Sequence, residues 1–152
     1  MPLPTPLDLA LRQVVEDAVV RMFVATDERD WRTLEDCFTD PFVLDMTSMG
    51  GGEPVTMSPA QVVQAWSTGF EPLDHVHHQI GNLRTEASAD RARVRCHGVA
   101  FHHRAQAPGL KTRVFVGTYE LSLAFTAGRW RIDMLQFKLK FIDGNLELEK
   151  VA

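Results

Sequence analysis

The sequence is short of three things: it has one tyrosine and two cysteines among 152 residues, and nowhere do the roughly 18 apolar residues needed for a membrane-spanning helix run together. Each shortage excludes a class. Cys37 and Cys96 stand far apart with no CxxC pair beside either, which removes zinc-ribbon and dithiol redox motifs and leaves two free core thiols as the expectation. Basic charge is also scarce. The formal net charge is -4, and scattered Lys and Arg offer no stripe for nucleic acid. The opening "MPLPTPLDLA" has neither a basic nor an apolar leader region, so a cytoplasmic protein with no membrane partner is expected. What is present is ordinary for a folded domain: 45% hydrophobic and 24% charged residues. One domain spanning 1–152 is long enough to bury a core and enclose a pocket.

Leu7, Leu11, Val14, Val15, Ala18, Val19, Met22 and Phe23 recur at helical spacing and predict a first helix. Asp30 is a candidate N-cap for a short second helix carrying Trp31, Leu34 and Phe38, which Pro41 would end. "FVLDMTSM" alternates as a strand would, and "GGGEP" reads as a loop. Ser58 and Gln61 around Pro59 form a capping box for a third helix, with Val62, Val63 and Trp66 on its buried side. From residue 73 the period becomes two. Runs over 73–84, 91–104, 111–126 and 129–142, separated by short turn sequences, predict a four-stranded antiparallel meander. The fold class is therefore α+β, with the helices in the concave face of a curled sheet and a pocket between them.

The stretch "LDHVHHQIGN" holds three of the six histidines. Strand alternation puts Val76, His78 and Ile80 on one face, and His75, His77 and Gln79 on the other. On the next strand, Val94, Cys96, Gly98, Ala100 and His102 share a face that stays small and apolar until His102. A hairpin turning near residue 89 sets Val76 opposite His102, which makes His78 a diagonal neighbour at roughly 7 to 8 Å. Two histidines then look into one cavity, where Gly98 and Ala100 leave room. Phe115, Gly117, Tyr119, Leu121 and Leu123 form another interior face. A buried imidazole bonded to backbone is the alternative reading for either histidine, as a tethered core hydroxyl is for Tyr119 and a solvated helix end for Asp27.

The stretches "TDERDWRTLEDCF", "FVLDMTSMGGGEP", "HHQIGN", "GTYELSLAFTAGRWRI" and "DGN", in this order and spacing, resemble the SnoaL-like group of the nuclear-transport-factor-two-like superfamily, nearest to scytalone dehydratase-like proteins. The resemblance covers nearly the whole chain. It implies a cone-shaped α+β barrel with three N-terminal helices in the concave face of a mainly antiparallel sheet, a buried hydrophobic pocket, and no metal or organic cofactor. It also implies catalytic roles for His78, in the H-x-I-G stretch, for His102 on the next strand, and for Asp27, which would orient His102. On that pattern His102 would be the charged donor and His78 a neutral base. Two positions that are tyrosine in the dehydratase are Thr26 and Met46 here, and an asparagine falls at or near Tyr119, so scytalone itself is not the expected substrate.

Taken together, these features lead to an expectation of cofactor-free acid–base chemistry, of dehydratase, isomerase or cyclase type, on a hydrophobic hydroxy-carbonyl or polyketide-like substrate. Tyr119, Met46, Trp66, Phe115 and Ala100 are the candidate substrate contacts. Two rivals stand beside it. His75 and His77, completed by His97 or His103, would make a zinc site, but Arg93 and Arg95 share that face and repel a cation. The other rival is a non-catalytic ligand carrier or assembly subunit of the same fold. A homodimer is expected, and the resemblance implies pairing through the outer sheet face, to which Phe101, Phe137 and Leu139 would belong if they point outward.

Overall fold

Thr5 and Asp8 start the first helix by a reciprocal cap: the Thr5 hydroxyl accepts from the Asp8 N–H at 3.1 Å, and the Asp8 carboxylate accepts from the Thr5 N–H at 2.8 Å. In the computed structural model, which describes residues 2–151, this helix is α1, Pro6–Asp27. Its buried line runs through Val15, Val19, Met22, Phe23 and Thr26. Leu7 and Val14, expected in the same stripe, face outward at 79% and 48% exposure. Val14 sits about 100° off the buried line, and Leu7 precedes its first member by two turns. Arg29 then reverses the chain with a left-handed φ of 57°, and its guanidinium donates to the carbonyls of Phe70 and Leu73.

The second helix, α2, is Trp31–Asp36, and Asp30 caps it by accepting from the Thr33 N–H at 3.1 Å. It is shorter than its sequence suggests. Phe38 and Pro41 belong to β1, Phe38–Asp45, because the chain is captured there by sheet pairing, with Phe38 opposite Ile132. Pro41 is tolerated because the ladder is irregular between Phe38 and Val43. The strand expected over 42–49 stops at Asp45, whose carboxylate accepts from the Thr47 N–H at 3.0 Å and the Thr47 hydroxyl at 2.7 Å. That local bond turns the backbone out of the strand and into the one-turn helix α3, Thr47–Gly50. A three-residue strand, β2, Val55–Met57, returns against β1. Ser58 and Gln61 then cap α4, Pro59–Phe70, in the expected box.

The meander comprises β3 His75–Ala87, β4 Arg91–His103, β5 Thr112–Thr126 and β6 Arg129–Gly144. The sheet order is β2-β1-β6-β5-β4-β3, antiparallel except for the β1–β6 pair. Since β2 and β3 remain unpaired edges, the sheet is an open, curled cone and not a closed barrel. α1 touches both β3 and β6, so the sheet wraps around it. The core between them includes Val19, Met22, Leu34, Phe42, Leu121, Leu123 and Ile132. A second cluster of Leu73, Val76, Ala107 and Leu148 fastens the C-terminal residues beside β3 and β4. No helix among the described residues is long and apolar enough to cross a membrane.

Candidate active site

Between α1, α4 and the concave sheet lies a cavity of about 140 Å³. Met22, Phe23 and Thr26 close it from α1, Trp66 and Phe70 from α4, and Met46 and Met49 stand at its mouth. Its polar contributors include His78, His102 and Tyr119. Strand alternation brings the two histidines in as expected: Val76 pairs with His102 and His78 with Ala100. His78 and His102 are therefore diagonal neighbours on one face.

Asp27 lies at the last position of α1 and grips the start of β3. One carboxylate oxygen is 2.6 Å from His78 Nδ1 and the other accepts from the His78 backbone N–H at 2.8 Å. The side chains of Asp27 and His78 are 15% and 12% exposed, so solvent screens this contact little. A carboxylate only accepts, so Nδ1 carries a proton, and in the neutral ring the lone pair is on Nε2, on the other side. The Phe23 ring packs beside the His78 ring, tilted by 42° at a centroid distance of 5.2 Å.

The partner of Asp27 is thus His78, and the expected Asp27–His102 pair does not form. His102 instead receives Arg113, its cross-strand neighbour on β5. Arg113 Nε and Nη2 lie 3.2 and 3.1 Å from His102 Nδ1. A guanidinium only donates, so Nδ1 is the acceptor and the proton of His102 sits on Nε2. Burial pushes the His102 pKa down to about 4, with the positive charge of Arg113 and the nearby His78 adding to the effect against Glu149 and Asp27. The expectation of a charged His102 is therefore reversed: it is a neutral imidazole with its proton on Nε2.

Arg113 is itself held by Glu149, which accepts from Nη1 at 2.8 Å and also from Nη2. Sequence reasoning missed both residues. Arg113 carried a readable signal, since it continues the odd-numbered interior face of Phe115 and Tyr119. Glu149 carried none, because it lies in a terminal segment without periodicity. Phe70 and Phe115 flank the His102 ring at 5.4 and 5.0 Å.

Ala100, Phe115, Trp66, Met46 and Tyr119 all line the cavity, Met46 at its more exposed rim. Gly98 does not leave the room expected of it. A Cβ there would lie 2.1 Å from the Tyr119 ring, so the glycine exists to let that ring lie flat on β4. Tyr119 also packs on Phe23 and Phe137. Burial raises its phenol pKa, keeping a neutral hydroxyl in the cavity wall.

Phe137 and Leu139, expected on the outer face, point inward: they pair with Tyr119 and Gly117, and Phe137 is buried. Register shifts between Ser122 and Leu123 and between Val116 and Gly117 change which face each stretch of β6 presents. Phe101 does face out. Of the outer histidines, His75 lies opposite His103 with the two rings stacked at 6.3 Å, while His103 also bonds Thr112 at 2.8 Å and His97 bonds Asn82 at 2.9 Å. No group of three His, Cys, Asp or Glu side chains placed for a metal occurs among the described residues. Both cysteines are free and buried, and desolvation pushes each thiol up to about 11.

Known structures share this architecture. A protein from Kribbella flavida, Kfla4162, superposes with a TM-score of 0.86 at 23% identity, covering 93% of this chain and 97% of that one. A hexachlorocyclohexane dehydrochlorinase, LinA-type3, from Novosphingobium barchaimii gives 0.75 at 16% identity, covering 95% and 96%. A scytalone dehydratase-like protein from Novosphingobium aromaticivorans gives 0.77 at 14% identity, covering 90% and 89%. At such identities the likeness is one of fold. No curated protein matches the sequence significantly. A family model does match: the SnoaL-like domain aligns with residues 8–136, and the chain belongs to that family.

Proposed function

We propose that this protein is a lyase or isomerase that moves a proton on a small, neutral, largely apolar ring compound, with His78 as the base. The observation that carries the reading is the double grip of Asp27 on His78, which fixes the ring and leaves its basic nitrogen for the cavity. His102 complements it. One imidazole offers a lone pair and the other an N–H, so a substrate with an acidic C–H near a carbonyl or hydroxyl oxygen would meet an acceptor and a donor together. The cavity volume, about 140 Å³, is close to that of an apolar protein cavity of about 150 Å³ that accepts benzene.

In the elimination version, His78 Nε2 takes the proton, the C–H electron pair becomes the new C=C bond, and the C–O bond breaks with its electrons on oxygen. The proton on His78 then passes to the leaving hydroxide, giving water and free base. In the isomerisation version the same proton returns to a different carbon. His102 Nε2–H and the Tyr119 hydroxyl would hold the oxygen on which charge develops. A positioned proton transfer of this kind is worth about a hundred- to ten-thousand-fold in rate. The two buried free thiols suit a reducing compartment, and the cytoplasm is the proposed location.

The test is exchange in deuterium oxide. Small cyclic hydroxy-ketones, with hexachlorocyclohexane added because of the dehydrochlorinase likeness, would be screened by thermal shift. Binders would then be followed by NMR for loss of the C–H signal. Wild type should exchange or convert at least one binder, and His78→Ala should not. A compound that binds tightly yet shows neither exchange nor conversion would move the protein to the carrier reading.

A further inference from the structure

We infer that Arg113 and Glu149 are positioning residues for the site: together they hold His102 as its Nε2–H tautomer, which makes the C-terminal segment a working part of the cavity wall. This rests on the reading of His102 as a donor to substrate and deepens it. The geometry is a three-member chain running outward from the cavity. His102 Nδ1 accepts from two guanidinium nitrogens of Arg113, at 3.2 and 3.1 Å, and Glu149 takes two others of its N–H groups in a fork. A free neutral imidazole exchanges between two tautomers. A guanidinium cannot accept a hydrogen bond, so while it faces Nδ1 only the Nε2–H form is compatible.

Arg113 is only 13% exposed at its side chain, and a buried guanidinium needs a counter-charge. Glu149 supplies it. Burial disfavours the Glu149 carboxylate, but the bond from Arg113, a backbone N–H, and the charges of Arg113 and His102 together outweigh this and hold its pKa below the usual value. The segment bearing Glu149 is in turn anchored by contacts that do not involve His102. Leu148 is fully buried against Leu73, Val76 and Ala107. Arg104 donates to the carbonyls of Leu148 and Lys150 at 3.1 and 2.9 Å. Asn145 holds the carbonyls of Pro108 and Leu110 at 2.9 and 2.8 Å. The charged and titratable groups acting on His102 are thus Arg113 from β5, His78 from β3, Glu149 from the C-terminal segment and Asp27 from α1. α4 contributes the uncharged Phe70.

The experiment is imidazole nitrogen NMR on protein labelled with nitrogen-15 histidine, in wild type, Arg113→Met, Arg113→Lys and Glu149→Gln, at pH 7 and along a titration. It needs no substrate, so its outcome is separate from whether the protein is an enzyme. Wild-type His102 should show one unprotonated Nδ1 and one protonated Nε2. Arg113→Met should give averaged shifts and a titration midpoint raised toward 6.5, the ordinary histidine value. Arg113→Lys should restore the single tautomer at least in part, and Glu149→Gln should weaken it while leaving the fold intact. If wild-type His102 carries its proton on Nδ1, or if its nitrogen shifts are unchanged in both Arg113→Met and Glu149→Gln, the inference is overturned. Should Arg113→Met fail to fold, the Glu149→Gln spectrum alone decides between these results.

Discussion

Asp27 closes α1 onto β3 by engaging two different atoms of one residue, His78 Nδ1 at 2.6 Å and the His78 backbone nitrogen at 2.8 Å. The same carboxylate is therefore a structural tie and a tautomer selector. Asp27→Asn should separate the two roles. The amide can keep one bond, but its NH2 group now confronts a donor. A loss of about 2 kcal/mol of stability is expected for a charge-assisted bond of this kind, and a loss of about a hundredfold or more in turnover on any substrate. Denaturant unfolding alongside kinetics checks both, and the imidazole spectrum should change at His78 while His102 keeps its tautomer.

Gly98→Ala tests the packing under the site. The added methyl would sit 2.1 Å from a Tyr119 ring carbon, and Tyr119 is wedged between Phe23 and Phe137. Overpacking of this sort costs about 1 to 3 kcal/mol. The expected result is a lowered melting temperature, and weaker ligand binding because the ring is pushed toward the cavity. The double variant Gly98→Ala, Tyr119→Leu should recover much of the lost stability. If Gly98→Ala melts as wild type does, the glycine is not serving the ring.

Much of this was legible because periodicity and capping are local. The Ser58–Gln61 box, the four meander strands and the inward faces of β3 and β4 all follow from side-chain spacing within one element. Pairing chemistry was less legible. Which of two inward histidines an aspartate reaches depends on where α1 crosses the sheet, and no local pattern encodes that crossing. Arg113 was readable by parity but concealed by its charge, since an arginine on an apolar face makes sense only once Glu149 is seen beside it. β6 shows the third kind of failure. Its bulges change the parity that the alternation argument depends on, and Phe137 moves from surface to cavity.

A homodimer through the outer sheet face is the proposed assembly. Phe101 and Phe141 are exposed at 39% and 55%, and Val99, Val114 and Val116 lie on the same side in register with them. Such a patch is a candidate for association. Light scattering at micromolar concentration should give twice the chain mass, and Phe141→Lys with Phe101→Lys should give a folded monomer. A wild-type monomer would remove the proposal.

Burial of a neutral His102 makes the fold sensitive to acid. In the unfolded chain His102 titrates near 6.5, whereas in the fold burial and then the charge of Arg113 push it down to about 4. Above pH 6.5 both states hold it neutral and it has no effect on stability. As pH falls below 6.5 the unfolded chain takes up a proton that the folded protein declines, so stability drops, and the drop is complete once pH passes about 4. Its full size is about 3 kcal/mol, from roughly 1.4 kcal/mol for each pH unit between the two values. The paired carboxylates act lower on the scale: Asp36, Asp45 and Glu149 are lowered from 3.8, 3.8 and 4.5, so their contributions fade mainly as pH falls below those values. The two effects therefore separate in a comparison with His102→Gln, whose amide oxygen can still accept from Arg113 but cannot titrate. Unfolding free energies measured from pH 7.5 to 4 should fall more steeply for wild type than for His102→Gln, and the difference should level off near pH 4. Parallel curves would mean that His102 titrates normally in the fold, which would remove the neutral donor from the site.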